Sequence, residues 1–174
     1  MKYAITGHTQ GIGKCFFETV SPACIGFSKS SGYDITDKEC RTNIIELSHD
    51  CDVFINNAYE DIGQVSLLYE LYDSWKDSNK TIVNIGSDTT CGIKKHPHLY
   101  TAHKIALDKA SEQLSHLNSK CKVINIRFGW VGTPRVLNNY NPTSYIEVKD
   151  AVAYIIEQIN WSSKYRVTDC LMRP

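Results

Sequence analysis

The chain has 174 residues, sets 19 Lys+Arg against 19 Asp+Glu, and is 42% hydrophobic with five Pro and seven Cys. A chain of this length buries well over half of its unfolded surface without disulfide or metal staples, so a single domain over residues 1–174 is expected. Zero formal charge excludes a general electrostatic grip on nucleic acid or acidic membranes, and no apolar run approaches the roughly 20 residues of a membrane helix.

Met1–Thr6 runs directly into a strand-like segment with no signal-peptide layout. Cys15, Cys24, Cys40, Cys51, Cys91, Cys121 and Cys170 are scattered and form no Cys-x-x-Cys pair. Neither a disulfide framework nor a zinc site is expected, and the chain reads as cytoplasmic with no bound metal.

In chain order, the first strand is expected at Tyr3–Thr6, followed by Gly7-His8-Thr9-Gln10-Gly11-Ile12-Gly13 and the helix-competent Lys14-Cys15-Phe16-Phe17. A second strand covers Cys24–Ser28. The short polar link Ser28–Gly32 to Tyr33-Asp34-Ile35 leaves no room for a full crossover helix, so a third strand is vestigial or an edge helix is lost. Thr36-x-x-Glu39 reads as a capping box opening a helix that turns Ile44, Ile45 and Leu47 inward. Strand Val53–Asn57 precedes a helix marked by Val65, Leu68, Tyr72 and Trp75 at spacings of three and four. Strand Thr81–Gly86 precedes a long helix from about Leu99 to Leu117, with Leu107, Ala110, Leu114 and Leu117 on one face. Strand Val123–Phe128, a helix carrying Val148, Val152, Ile155 and Ile159, and strand Val167–Met172 complete the chain. Continuous apolar strands alternating with helices predict an α/β doubly wound, Rossmann-like parallel sheet.

Ligands of such sheets bind beyond the carboxyl ends of the strands. There the glycine loop 7–13 offers close backbone approach to a phosphate, and the helix behind it offers unpaired N–H groups. Tyr100 and Lys104 share a helix face, where a nearby ammonium lowers the pKa of a phenol and suits it to proton transfer. Ser87 ends strand Thr81–Gly86 on the same edge, either as a hydroxyl for a substrate oxygen or as an ordinary loop serine.

In order and spacing these features resemble the short-chain dehydrogenase/reductase family over nearly the whole chain. Thr6–Gly13 resembles its Thr-Gly-x-x-x-Gly-x-Gly loop, and Asn56-Asn57-Ala58 its Asn-Asn-Ala-Gly motif, with Tyr59 replacing the Gly. Ser87, thirteen residues before Tyr100, resembles the catalytic Ser of its Tyr-x-x-x-Lys pair. Phe128-Gly129-Trp130-Val131-Gly132-Thr133 resembles Pro-Gly-x-x-x-Thr, and Asp34-Ile35 the acidic-aliphatic pair that contacts adenine.

The resemblance implies an NAD(P)-dependent oxidoreductase that interconverts a carbonyl and a secondary alcohol. Tyr100 would be the general acid/base, Ser87 would hold the substrate oxygen, and Lys104 would bind the nicotinamide ribose and lower the Tyr100 pKa. Gly7, Thr9, Gln10, Gly11, Ile12, Gly13, Ser28, Lys29, Asp34, Ile35, Asn57, Ala58, Tyr59, Gly129, Val131 and Thr133 would complete the dinucleotide site. Ser28 and Lys29, with no carboxylate before Asp34, favour NADP(H) over NAD(H). The family commonly pairs its long catalytic helix between subunits, which implies a homodimer or homotetramer through Leu99–Leu117.

The chain also departs from the family. No Asn lies between Ala58 and Trp75 to match its relay residue; Asp61 and Gln64 lie nearby. Only Pro134–Tyr145 is left for a substrate lid, and Trp130, Leu137, Tyr140 and Tyr145 either line an open pocket or pack the domain edge. Lys94, Lys95, His96 and His98 either draw an anion to the mouth or form a solvated loop. The alternative to an enzyme is a dinucleotide-binding regulatory or sensor protein with little turnover.

Overall fold

In the computed structural model, which describes Met1–Pro174, six strands and six α-helices alternate. They are β1 (Tyr3–Thr6), α1 (Gly11–Val20), β2 (Cys24–Phe27), α2 (Lys38–Leu47), β3 (Val53–Asn56), α3 (Gly63–Trp75), β4 (Thr81–Ser87), α4 (Leu99–His116), β5 (Lys122–Phe128), α5 (Pro134–Tyr140), α6 (Val148–Ser162) and β6 (Asp169–Met172). All strands are parallel, in the order β2-β1-β3-β4-β5-β6. The expected doubly wound sheet is therefore present.

Successive strand residues face opposite sides of the sheet. Ala4, Phe54 and Ile82 join Ile44, Leu68, Trp75 and Leu107 in the core beneath α2, α3 and α4. Ile5, Ile55 and Val83 join Phe16, Val152, Ile155 and Ile159 beneath α1 and α6. Each fully buried side chain of this size contributes about 1.5–3 kcal/mol, so these two layers rather than local propensity hold the helices.

Several details differ from the sequence reading. Asp37, not Thr36, caps α2, accepting from the Cys40 N–H at 2.8 Å. Thr36 is captured instead by Asp34 Oδ1, which accepts from its N–H at 2.9 Å and its hydroxyl at 2.8 Å. Ile44 is buried as expected, but Leu47 is 52% exposed at the last turn of α2. Leu117 is likewise half exposed, because it lies just past the end of α4.

After β2 the chain makes a short 3₁₀ turn, Lys29–Ser31, and then enters α2 without forming a further strand. β2 is thus the edge strand, and one strand-helix unit is absent from that side. The helix α5 was not foreseen, although Pro134 at its first turn and Thr133 as its cap are recognisable start signals.

Candidate active site

The first strand leads into a tight loop whose shape demands glycine. Gly7 adopts φ +75°, and a Cβ on Gly13 would come within 2.1 Å of the Gly7 carbonyl oxygen. Thr6 ties this loop to the turn after β3: its hydroxyl oxygen accepts from the N–H groups of Asn57 at 3.1 Å and Ala58 at 3.0 Å. The Asn57 amide returns a bond to the Thr6 carbonyl at 3.0 Å. Gln10, at the N-cap of α1, makes no side-chain capping bond. The leading N–H groups of α1 therefore have no side-chain acceptor, as an anion-binding helix start requires.

An open cleft of about 480 Å³ runs along the carboxyl ends of β1, β2 and β3. Gly7, Thr9, Gln10 and Gly11 form its floor; Ser28, Lys29, Asp34 and Ile35 line one end; Asn57, Ala58, Tyr59 and Thr133 line the other. Glu60, Pro134 and Arg135 also line it, and sequence reading missed all three. Ile12 and Gly13 sit behind the loop rather than in the cleft, Ile12 against the α1/α6 core. Val131 is buried and pairs with Ile146, while Gly129 lies beside Asp88 and the C-terminal Arg173 and Pro174. A separate groove of about 550 Å³ beside α6, including Val152, Ile156 and Trp161, contains none of these loops.

The end of the cleft beside β2 carries a compact charge cluster. The Lys29 ammonium lies 2.9 Å from Asp34 and 3.2 Å from Glu60. Its hydrogen bonds to the two carboxylates push its pKa up. The Asp34 carboxyl is pulled down to about 2, first by the Thr36 N–H and then by Lys29.

At the other end stand the catalytic candidates. Ser87 closes β4 and its hydroxyl oxygen accepts from the Thr89 N–H at 3.3 Å. It lies close enough to the Tyr100 phenol to lower its pKa, without a hydrogen bond of good geometry between them; burial is the larger effect and leaves that pKa raised. Lys104, on the same face of α4, is 3% exposed. Its ammonium donates to Gln64 Oε1 and to the Ile85 carbonyl, each at 2.8 Å. The expectation that Lys104 lowers the Tyr100 pKa is thus not met in this state. The ammonium is turned to these two acceptors, and burial pulls its own pKa down to about 7.

Tyr59, at the place where the resembling motif has Gly, covers this corner. Its ring meets Tyr100 edge-on at 4.8 Å between centroids, and its hydroxyl bonds His103 Nδ1 at 3.2 Å. The Lys104 ammonium is 5.6 Å from both the Tyr59 and Tyr100 ring centroids. The cleft consequently reaches Tyr59 but not Ser87, Tyr100 or Lys104. His103 is half-buried by this contact rather than freely exposed.

Beneath the site runs an unexpected polar row. Asn56, Asn84 and Asn125 are register partners on β3, β4 and β5, all at most 2% exposed. Asn56 Nδ2 donates to Asn84 Oδ1 at 2.9 Å, and Asn84 Nδ2 to Ser111 Oγ at 3.0 Å. Asn125 Nδ2 reaches Asp108 Oδ1 at 2.9 Å. The signal was the Asn that follows two or three apolar residues in each of these strands.

The residues 91–99 are exposed, including Lys94, Lys95, His96 and His98. Trp130 and Tyr140 pack on one another at 5.1 Å while 46% and 59% exposed, and the Tyr145 ring lies against Gly132. They therefore pack the domain edge on an open face.

The strand order and the flanking helices give the fold of the short-chain dehydrogenases and reductases. Solved structures agree at low sequence identity. The closed form of serine dehydrogenase complexed with NADP+ superposes with a TM-score of 0.80 at 16% identity, covering 99% of this chain and 94% of that one. A short chain dehydrogenase from Burkholderia cenocepacia J2315, in complex with NADP, gives 0.76 at 17% identity over 99% and 90%. A 4-hydroxyisoleucine dehydrogenase complexed with NADH and succinate gives 0.79 at 16% over 98% and 97%. No protein-family model and no curated protein matches the sequence. No helix is long and apolar enough to cross a membrane.

Proposed function

We propose that the chain is an NAD(P)(H)-dependent oxidoreductase acting on a carbonyl or secondary alcohol, with Tyr100 as general acid/base. The observation that carries this reading is the meeting of Ser87, Tyr100 and Lys104, behind Tyr59 and beyond the glycine-built cleft. The residues fit a dinucleotide. The loop leaves no room for a Cβ at Gly13, α1 presents an uncapped N-terminus, and Lys104 waits behind the side chain of Tyr59. A bound reduced nicotinamide supplies the hydride, so the protein must supply the proton. Burial keeps the Tyr100 phenol protonated at neutral pH, which suits it to protonate the nascent alkoxide oxygen. Solvent then returns a proton to the phenolate once Tyr59 turns aside. Ser87 holds the substrate oxygen, and Lys104 binds the ribose once Tyr59 turns aside.

NADP(H) is the preferred nucleotide in this reading, because Ser28, Lys29 and Ser30 line the adenosine end. Asp34 and Glu60 compete for Lys29 and hold the preference to a modest one. Pairing of α4 between subunits would cover Leu99, 65% exposed, and Ile105, 44% exposed, and gives a homodimer or homotetramer. The covering of Lys104 by Tyr59 favours a second reading, a dinucleotide sensor with little turnover.

Fluorescence titration with NADPH and NADH, followed by oxidation assays across a carbonyl panel, separates the two. Tyr100→Phe is expected to lower kcat by roughly 10²–10⁴-fold with dinucleotide affinity unchanged. Binding without turnover on any carbonyl, unaltered by Tyr100→Phe, would leave the sensor reading alone.

A further inference from the structure

Gln64, on the first turn of α3, is 2% exposed and fully engaged. Its Nε2 donates to the Asn56 carbonyl at 2.6 Å and to the Ile85 carbonyl at 3.3 Å. Asn56 answers with its own side-chain amide, donating to the Gln64 carbonyl at 2.9 Å. Both neighbours of Nε2 are carbonyl oxygens, which can only accept. The amide orientation is therefore fixed by its surroundings, and Oε1 has to face Lys104.

An ammonium has three N–H donors. Two of those on Lys104 are taken by Gln64 Oε1 and the Ile85 carbonyl, leaving one for a ligand. We propose that Gln64 is a positioning residue: its amide oxygen clamps the Lys104 ammonium between α3 and β4, so that one N–H remains directed toward the bound dinucleotide ribose. This rests on the dinucleotide reading above.

The surroundings of Lys104 make the clamp testable. Asp108, one turn along α4, is the sole carboxylate that acts on the ammonium, and it favours the charged form. Tyr100 on the same helix and Tyr59 from the loop after β3 face it with their rings; Gln64 from α3 and Ile85 from β4 face it with neutral oxygens. With so little opposing charge, the loss or gain of one acceptor must move its titration.

The experiment follows the Lys104 side chain by NMR in ¹³C-lysine-labelled protein, with the signal assigned by its loss in Lys104→Arg. The unmodified protein is expected to titrate near 7. Gln64→Met, nearly isosteric but without an acceptor, lowers the midpoint by about one pH unit or more, and Gln64→Glu raises it by a similar amount. NADPH affinity at pH 6.5 falls several-fold in Gln64→Met and is retained in Gln64→Glu. Should the Met variant fail to fold, the Glu variant decides. An unmoved midpoint in a folded variant, or an ordinary lysine midpoint in the unmodified protein, overturns the clamp. The Lys104 titration needs no nucleotide, so failure of dinucleotide binding alone would instead count against the proposed function.

Discussion

Two lysines, Lys29 in the cleft and Lys104 behind Tyr59 beyond it, have opposite surroundings. Lys29, with 63% of its side chain exposed, sits between two carboxylates that hold it charged. Lys104 is enclosed, touches no carboxylate, and keeps its proton only to about pH 7. Water already stabilises the charge on Lys29, so its partners add little and can be exchanged cheaply. For Lys104 the protein must replace the water, and every neighbour counts. The Lys29 end is thus open to tuning, and the Lys104 corner is fixed.

The largest expected effect tests whether Lys104 really bears the burden of burial. Its folded pKa of about 7 lies below the roughly 10.4 of an unfolded chain. Between those values the unfolded state binds the proton and the folded state does not, so stability rises with pH across this window; below pH 7 both states hold the proton and the slope vanishes. Buried thiols act in the opposite sense at higher pH, since burial pushes Cys24 and Cys121 up to about 12. The thiols contribute equally to both proteins, so urea denaturation of each between pH 7 and pH 8.5 isolates the lysine as the difference in slope. Lys104→Met should remove a slope of about 1 kcal/mol per pH unit that the unmodified protein shows. Equal slopes would break the contrast between the two lysines.

A smaller effect concerns the cover over that lysine. Tyr59 lies over Lys104 and against Tyr100, contributing a cation–π contact of about 0.5–2 kcal/mol. Tyr59→Gly should open the corner and increase acylation of Lys104 by an amine-reactive probe several-fold, as read by peptide mapping. Dinucleotide affinity should rise with it, since the aromatic ring no longer has to move. Unchanged labelling would mean that the interior encloses Lys104 without help from Tyr59.

The same contrast explains how much could be read from the sequence. Strand positions and most helix positions followed from apolar runs such as Val53-Phe54-Ile55, because burial on both sheet faces writes itself into composition. The glycine loop and the Tyr100–Lys104 spacing were legible because backbone clearance and helix periodicity are local. The partners of Lys104 were not. Gln64 is forty residues away from it, and only the packing of α3 against α4 brings the two together. The Asn56–Asn84–Asn125 row was equally hidden, since register between strands is a tertiary property. The pairing of Lys29 with Glu60 depends on the same kind of long-range approach, thirty-one residues apart in the chain.

The smallest effect falls at that shared cation. Lys29→Glu would leave Asp34 and Glu60 unpaired beside a third carboxylate and present net negative charge to the adenosine end. A 2′-phosphate should feel this and a 2′-hydroxyl should not: NADPH affinity is expected to fall roughly threefold while NADH is unchanged. Because the group is exposed, salt screens it, and the discrimination should shrink as ionic strength rises toward 1 M, where the Debye length is about 3 Å. Lys104 lies outside that reach, so a Gln64→Met defect in NADPH binding should persist in the same high-salt buffer. Equal loss of NADPH and NADH in Lys29→Glu would remove Lys29 from nucleotide selection and leave that role to the Ser28 and Ser30 hydroxyls on β2's end of the cleft. Selective loss that salt abolishes would place selection in the exposed cluster, with the enclosed lysine serving both nucleotides alike.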